Sequence, residues 1–200
     1  RSTLFPYTTL FRSPYSAPKP EVQTSKALSL LARPGEEGIK TRRVAILVAD
    51  GTDGAAALSI HETLLGAGAV PRFIGVKLGQ VTSASGEPLD VEISLETAPA
   101  VVWDAMIVPD GQAAADELST RGHALEFLKD QYRHCKPILL IGAARALLDA
   151  AGIPAKLPSG EADVGLLQFD GKKTDAAVPA FIAALTQHRN FARETDPPRV

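Results

Sequence analysis

The chain is poor in the side chains that carry out chemistry. Its 200 residues include one cysteine, Cys135, which excludes an internal disulfide framework and fits a reducing, cytoplasmic setting. Four scattered histidines and that single thiol make no ligand pair at the spacing of structural zinc, so no metal is expected. His134 and Cys135 are adjacent, but neighbours in sequence rarely point the same way. Neither sign of charge is in excess: 21 Lys and Arg face 23 Asp and Glu, a formal net charge of −2. So balanced a chain, without a basic amphipathic stretch, implies no nucleic-acid partner and no membrane surface. No apolar run approaches the roughly 20 residues needed to cross a bilayer. What the chain does have is 45% hydrophobic residues, enough for one compact core with irregular ends.

The front of the chain differs from the rest. Residues 1–13 nearly mirror themselves, with Arg1-Ser2 at one end and Phe11-Arg12-Ser13 at the other. They resemble a translated sequencing adapter, lack the uninterrupted apolar core of a signal peptide, and are set aside as non-native. On that reading the natural N-terminus is missing. Residues 14–41 carry Pro14, Pro18, Pro20 and Pro34 among Ser, Lys and Gly, a density that opposes regular structure and predicts an extended linker. Within it Ala27-Leu28-Ser29-Leu30-Leu31 is a short apolar patch, read either as a docking segment or as solvated linker.

From Arg42 the pattern becomes that of strands alternating with helices. Val44 to Ala49 is a continuous apolar run, as expected of a strand covered on both faces. Asp50-Gly51-Thr52-Asp53-Gly54 makes the turn, with Asp53 as N-cap of a helix carrying Ala57, Leu58, Ile60, Leu64 and Leu65. That helix ends at Gly66-Ala67-Gly68, and Phe73 to Val76 supplies the next strand, so the unit is a right-handed βαβ in a parallel sheet. Gln80 to Ser83 and Val91 to Ser94 alternate around Ser85-Gly86-Glu87-Pro88, which predicts a small hairpin. Asp104 to Pro109 is a third buried strand. Helices fit residues 113–120 and 122–133, Lys136 to Ile141 is a fourth strand, and Gly152 closes the helix after it. A strand over residues 164–169 and a helix over 175–189 complete an α/β domain at residues 42–192, and the charged, proline-containing tail 193–200 is expected to be loose. The fold class is a flavodoxin-like, doubly wound and mostly parallel sheet with helices on both faces.

Ligands of such sheets bind at the carboxyl ends of the strands, where the strand order reverses. The groups expected there are Asp50, Asp53, Asp110, Gly142 and Ala143. The turn after the fourth strand, Gly142-Ala143-Ala144-Arg145, has the small-residue shape that lifts a nucleophile above a sheet, yet offers only hydrogen and methyl groups. Three carboxylates without a cation make a poor anion site. Asp50-Gly51-Thr52-Asp53-Gly54 lacks the spacing of a dinucleotide loop and of a phosphate-binding P-loop, so no nucleotide or flavin is expected. Cys135 precedes its strand and so falls at the amino end of the sheet, as a small half-buried residue at a helix end. His61, His123, His134 and His188 read as helix positions, solvated or partly packed. No Ser-His-Asp or Cys-His arrangement forms around the turn.

Three segments carry a resemblance: Arg43 to Gly51, Trp103 to Gly111 and Lys136 to Gly142 are similar to the signature strands of the PfpI-type, class I glutamine-amidotransferase-like family. The resemblance places a catalytic Cys of active members at Gly142, followed by Ala143 and Ala144 where His and Gly often stand. It places the usual acidic partner near Ala56, and Asp110 at the first glycine of the loop opposite the Cys. A carboxylate at that place repels a developing oxyanion, whereas such sites need donors aimed at it. These departures imply a catalytically silent relative with a vestigial pocket at Asp50, Asp53 and Asp110. A narrower resemblance covers the linker Ser25 to Gly35, its run into the first strand, and the terminal Gln187-His188-Arg189. Together they resemble the C-terminal domain of large-subunit haem catalases.

That narrower resemblance implies a domain with no cofactor of its own and haem elsewhere in a parent chain that decomposes hydrogen peroxide under oxidative stress. It implies the catalase core of the same chain as partner and a homo-oligomer, a tetramer in the parent. The alternatives are a stand-alone PfpI-type hydrolase or deglycase-like enzyme, or a small-molecule sensor using an empty pocket.

Overall fold

The computed structural model describes residues 25–29, 38–171 and 174–200, together with Lys19 and Glu21, and leaves the side chains of 174 and 175 undescribed. The readings of 1–13 as foreign and of most of 14–41 as linker lie outside the described residues. The chain divides into two units, Arg1–Arg33 and Pro34–Val200. In the first, Ser29 N–H donates to the Ser25 carbonyl at 2.9 Å, closing one turn on which Leu28 is 87% exposed.

The second unit alternates as the sequence predicts. Its elements are β1 (Arg43–Leu47), α1 (Gly54–Gly66), β2 (Val70–Gly75), β3 (Gly79–Thr82), β4 (Pro88–Val91), β5 (Ile93–Ser94) and β6 (Ala105–Val108). Then come α2 (Gln112–Ser119), α3 (Gly122–Arg133), β7 (Ile138–Ile141), α4 (Ala146–Ala151), β8 (Leu166–Phe169), α5 (Thr174–Thr186) and α6 (Ala192–Thr195). Six strands form one sheet in the order β5-β2-β1-β6-β7-β8, and every pairing in it is parallel. The order reverses between β1 and β6, which places the crevice of a doubly wound sheet above those two strands.

The unbroken apolar runs serve two cores at once. Side chains alternate across a strand, so Ala45 and Leu47 of β1, Met106 and Val108 of β6, and Ile138 and Leu140 of β7 share one face. There they pack on Leu118, Phe127, Leu128, Leu147 and Leu148 from α2, α3 and α4. Val44 and Ile46, Ala105 and Ile107, and Leu139 and Ile141 take the opposite face, with Ile60 and Leu64 of α1 and Phe181 and Leu185 of α5. A strand that must satisfy both layers cannot spare a polar position, and all four residues of β6 and of β7 are buried.

Several boundaries depart from expectation, each for a local reason. The second alternating segment splits at Glu92: Pro88–Val91 pairs antiparallel with β3, while Ile93–Ser94 joins the main sheet beside β2. Glu92 makes the split by accepting the Phe73 N–H at 3.0 Å and pairing with Arg72 at 3.2 Å. The segment after β7 begins with a tight 3₁₀ turn over Gly142–Arg145 before α4, which Gly152 closes with φ +67°. Helix α5 stops at Thr186, so His188 is no helix residue; it has φ +67° and lies 3.5 Å from Asp104. The tail beyond residue 192 is not loose, because α6 docks Arg193 at 4% exposure.

Candidate functional site

At the carboxyl edge of the sheet, each loop is fastened by its own polar residue. After β1, Thr52 Oγ1 accepts the Ala49 N–H at 3.1 Å and donates to the Ala49 carbonyl at 2.8 Å, folding the loop back on itself. Asp50 accepts the Thr82 N–H at 2.7 Å, clipping the β3–β4 hairpin to the loop. Asp53 caps α1 by accepting the Ala56 N–H at 3.0 Å, and its own N–H donates to the Asp110 carbonyl oxygen at 2.7 Å. Ala56, where the resemblance expected an acidic group, thus serves only in the cap.

The four residues after β6 and β7 that matter most do converge. Asp110 Oδ1 accepts the Gly111 N–H at 2.8 Å and the Ala143 N–H at 2.9 Å. Gly142 has φ +58°, a conformation that L side chains rarely adopt, and a Cβ there would fall 2.0 Å from Asp110 Cγ. A Cβ on Gly171 would fall 1.9 Å from Asp110 Oδ2, so the carboxylate lies between two bare backbones. The space above the turn is filled by the Asp110 carboxylate, while a cavity of about 170 Å³ beside Asp50 stays open at the same edge. Asp50, Asp53 and Asp110 all lie in the loops at the carboxyl edge, as expected, but serve different partners. Asp110 alone reaches Gly142 and Ala143, while Asp50 and Asp53 spend their oxygens on the hairpin and on the helix cap. Cations do stand at this edge: Arg145 donates to the Gly142 carbonyl at 3.0 Å and pairs with Asp170 at 3.1 Å, and Lys77 and Arg121 line a cavity with Asp50.

The turn itself, Gly142-Ala143-Ala144, carries no thiol or hydroxyl. Cys135 is at the amino end of β7, as its position implies, but is fully rather than half buried, at 1% exposure. Burial, with Glu194 nearby, raises its thiol pKa, which keeps the sulfur protonated and unreactive. His61 stacks on Phe73 at 5.0 Å between ring centroids. Among the described residues no group of three His, Cys, Asp or Glu could hold a metal ion. A groove of about 460 Å³ beside Val164, Ala180 and Ala183 has no Tyr, His, Cys or Met in its lining. Nor is any helix among the described residues long and apolar enough to cross a membrane.

One polar cluster has no counterpart among the sequence-based expectations. At the amino end of β7 and β8, the buried Asp163 carboxylate accepts from Arg193 through both Nε and Nη2, and from Asn190 Nδ2. Arg193 Nη1 also donates to the Lys136 carbonyl at 2.8 Å, and the guanidinium lies over the Tyr132 ring at 4.4 Å. Asn190 and Arg193 are 27 and 30 residues from Asp163 along the chain, and no local motif announces such a pairing.

The parallel doubly wound sheet with a tight turn at the carboxyl end of a central strand is a fold that DJ-1/ThiJ/PfpI-like domains share. Solved structures with this fold include the VC2308 protein, with a TM-score of 0.66 and 20% identity over 78% of this chain and 93% of that one. A two-domain protein from Anabaena variabilis with DJ-1/ThiJ/PfpI-like and ferritin-like domains gives a TM-score of 0.53 at 18% identity, covering 56% of this chain and 32% of that one. Within that class the chain belongs to the family of the C-terminal domain found in long catalases, which it matches over residues 40–195. Catalase HPII of Pseudomonas putida is 35% identical over 174 residues, 87% of this chain and 23% of that protein. Catalase-1 of Neurospora crassa is 34% identical over 181 residues, 82% of this chain and 25% of that protein. The chain thus spans about a quarter of the length of these relatives.

Proposed function

We propose that this chain is the C-terminal accessory domain of a large-subunit haem catalase, and that the domain contributes assembly and stability rather than chemistry. The parent chain converts hydrogen peroxide to water and oxygen with a haem held by residues outside this sequence. The catalase core of the same chain is the domain's partner, within a cytoplasmic homo-oligomer. One observation carries the reading: in a domain of the long-catalase family, the turn available for a nucleophile is bare glycine and alanine, and Asp110 fills the space above it.

The alternative of a PfpI-type hydrolase needs a thiol or hydroxyl at residue 142, and a sensor needs an open pocket at the same edge. Gly142 supplies neither group, and Asp110 fills the space above the turn, leaving a cavity of about 170 Å³ beside Asp50. The test uses the purified 200-residue chain supplied with haem and then assayed for peroxide turnover. The expected result is no Soret band after desalting and oxygen evolution no faster than buffer containing free haem. A stable haem band with robust peroxide decomposition from this chain overturns the proposal.

A further inference from the structure

The Asp110 carboxylate is held as a bound ligand would be held, except that it is tethered. Its Oδ1 accepts two backbone N–H groups from two different loops, Gly111 at 2.8 Å and Ala143 at 2.9 Å. The site is therefore not one helix end but a pair of donors brought together by β6 and β7. Its walls are the bare backbones of Gly142 and Gly171, where a Cβ would come within 2.0 Å and 1.9 Å of the carboxylate group. Real Cβ atoms essentially never approach other heavy atoms closer than 3.0 Å. Both walls are thus shaped to the volume of one carboxylate. We propose that Asp110 is an intramolecular ligand in a small-carboxylate site, and that shortening its side chain opens this site to free acetate or formate.

The class of ligand follows from what is removed. Asp110→Gly deletes a methylene and a carboxylate, and acetate restores both; Asp110→Ala keeps the β-carbon, so formate is the better match. Both N–H donors have ties besides Asp110: the Gly111 carbonyl accepts the Ala115 N–H at 2.9 Å at the start of α2, and Ala143 lies within the 3₁₀ turn Gly142–Arg145. Charge-assisted hydrogen bonds of this kind are stronger than neutral ones, so their loss and recovery are measurable. This inference goes beyond the accessory role and holds whether or not that role is correct.

The experiment is thermal unfolding of the wild type and of Asp110→Gly in sodium acetate, sodium propionate and sodium chloride at matched ionic strength. The variant is expected to melt about 4 °C below the wild type, as a loss of one or two hydrogen bonds implies for a chain of this size. Acetate should raise that Tm along a saturating curve, propionate should do so less because of its extra carbon, and chloride should not. The wild type should show no saturable response. A structural role alone predicts the lower Tm without the acetate effect, and an acetate response equal to the wild type's overturns the proposal. Asp110→Ala with formate gives the same reading independently. A variant that folds only when its carboxylate is added supports the proposal, and one that no carboxylate recovers overturns it. Gly142→Ala adds a check of volume: its loss of Tm should be smaller in the Asp110→Gly background, and an equal loss in both backgrounds overturns the shared-space argument.

Discussion

Lys136, at the amino end of β7, is 2% exposed, and its ammonium donates to carbonyls, Ala100 O at 2.8 Å and Val101 O at 3.3 Å. Burial, reinforced by the nearby Arg189 charge, lowers its pKa from 10.5 to about 8. The sign of the consequence follows from proton counting. Between these two values the unfolded chain still holds the proton and the folded chain has released it, so this residue's contribution makes stability rise with pH. Each unit of pKa shift corresponds to about 1.4 kcal/mol, so the full effect is on the order of 3 kcal/mol. Cys135 and Tyr132 work in the opposite direction over the same range, since burial raises both, Tyr132 to about 12. A comparison with Lys136→Met cancels those two contributions. Denaturant unfolding should therefore show the wild type gaining stability on the Met variant from pH 8 to pH 10.5. Parallel pH profiles for the two proteins would refute the assignment. At pH 7 the Met variant should lie within about 1 kcal/mol of the wild type, because replacing a buried charge by an apolar chain of similar volume is commonly neutral.

At the scale of elements, α6 shows how a four-residue helix can matter more than its length. It carries one residue into the protein, Arg193, whose side chain is 2% exposed against 0% for Asp163. Removing one partner of such a pair leaves a buried charge with fewer donors, which typically costs about 3–5 kcal/mol. Arg193→Met should thus destabilise the chain by about 3 kcal/mol, with Asn190 and the Gly165 N–H still serving the carboxylate. A Tm drop of roughly 6–12 °C follows from the usual scaling for this size. A shift under about 2 °C, the low end of that scaling for 1 kcal/mol, would mean that the tail is held by something else. Composition alone makes residues 193–200 look loose, because it shows charge but not where a charge goes. Val44 to Leu47, Ala105 to Val108 and Ile138 to Ile141 are legible for the opposite reason: burial on two faces permits only apolar residues, and that leaves a run visible without coordinates. The bare turn at Gly142 is equally visible. Its occupant is not, because Asp110 is 33 residues from Ala143 and only the adjacency of β6 and β7 brings them together. The break at Glu92 is hidden too, since the alternation of residues 91–94 continues through a change of sheet.

At the scale of the whole molecule, the sheet and its two cores are complete while the turn after β7 carries no nucleophile. Two apolar layers enclose a fully parallel sheet, so the domain has the core it needs to fold as a unit. On the proposed function, such a domain contributes surface to the parent. Joined to a catalase core by its linker, it is held at high effective concentration, so even modest contacts add to assembly. On the same reading, stability gained that way is separable from peroxide chemistry, because the proposal puts the haem outside this sequence. The prediction is tested by comparing a full-length parent with the same protein ending before residue 42 of this sequence. Turnover per haem should stay within about twofold, below about 1 kcal/mol in barrier height. Thermal inactivation should come at a lower temperature, and the oligomer should dissociate at lower denaturant concentration, since removing contacts that stabilise only the assembled state weakens it by mass action. Turnover lost in proportion to the deletion, with the oligomer intact, would mean that this domain shapes the haem site instead of the assembly.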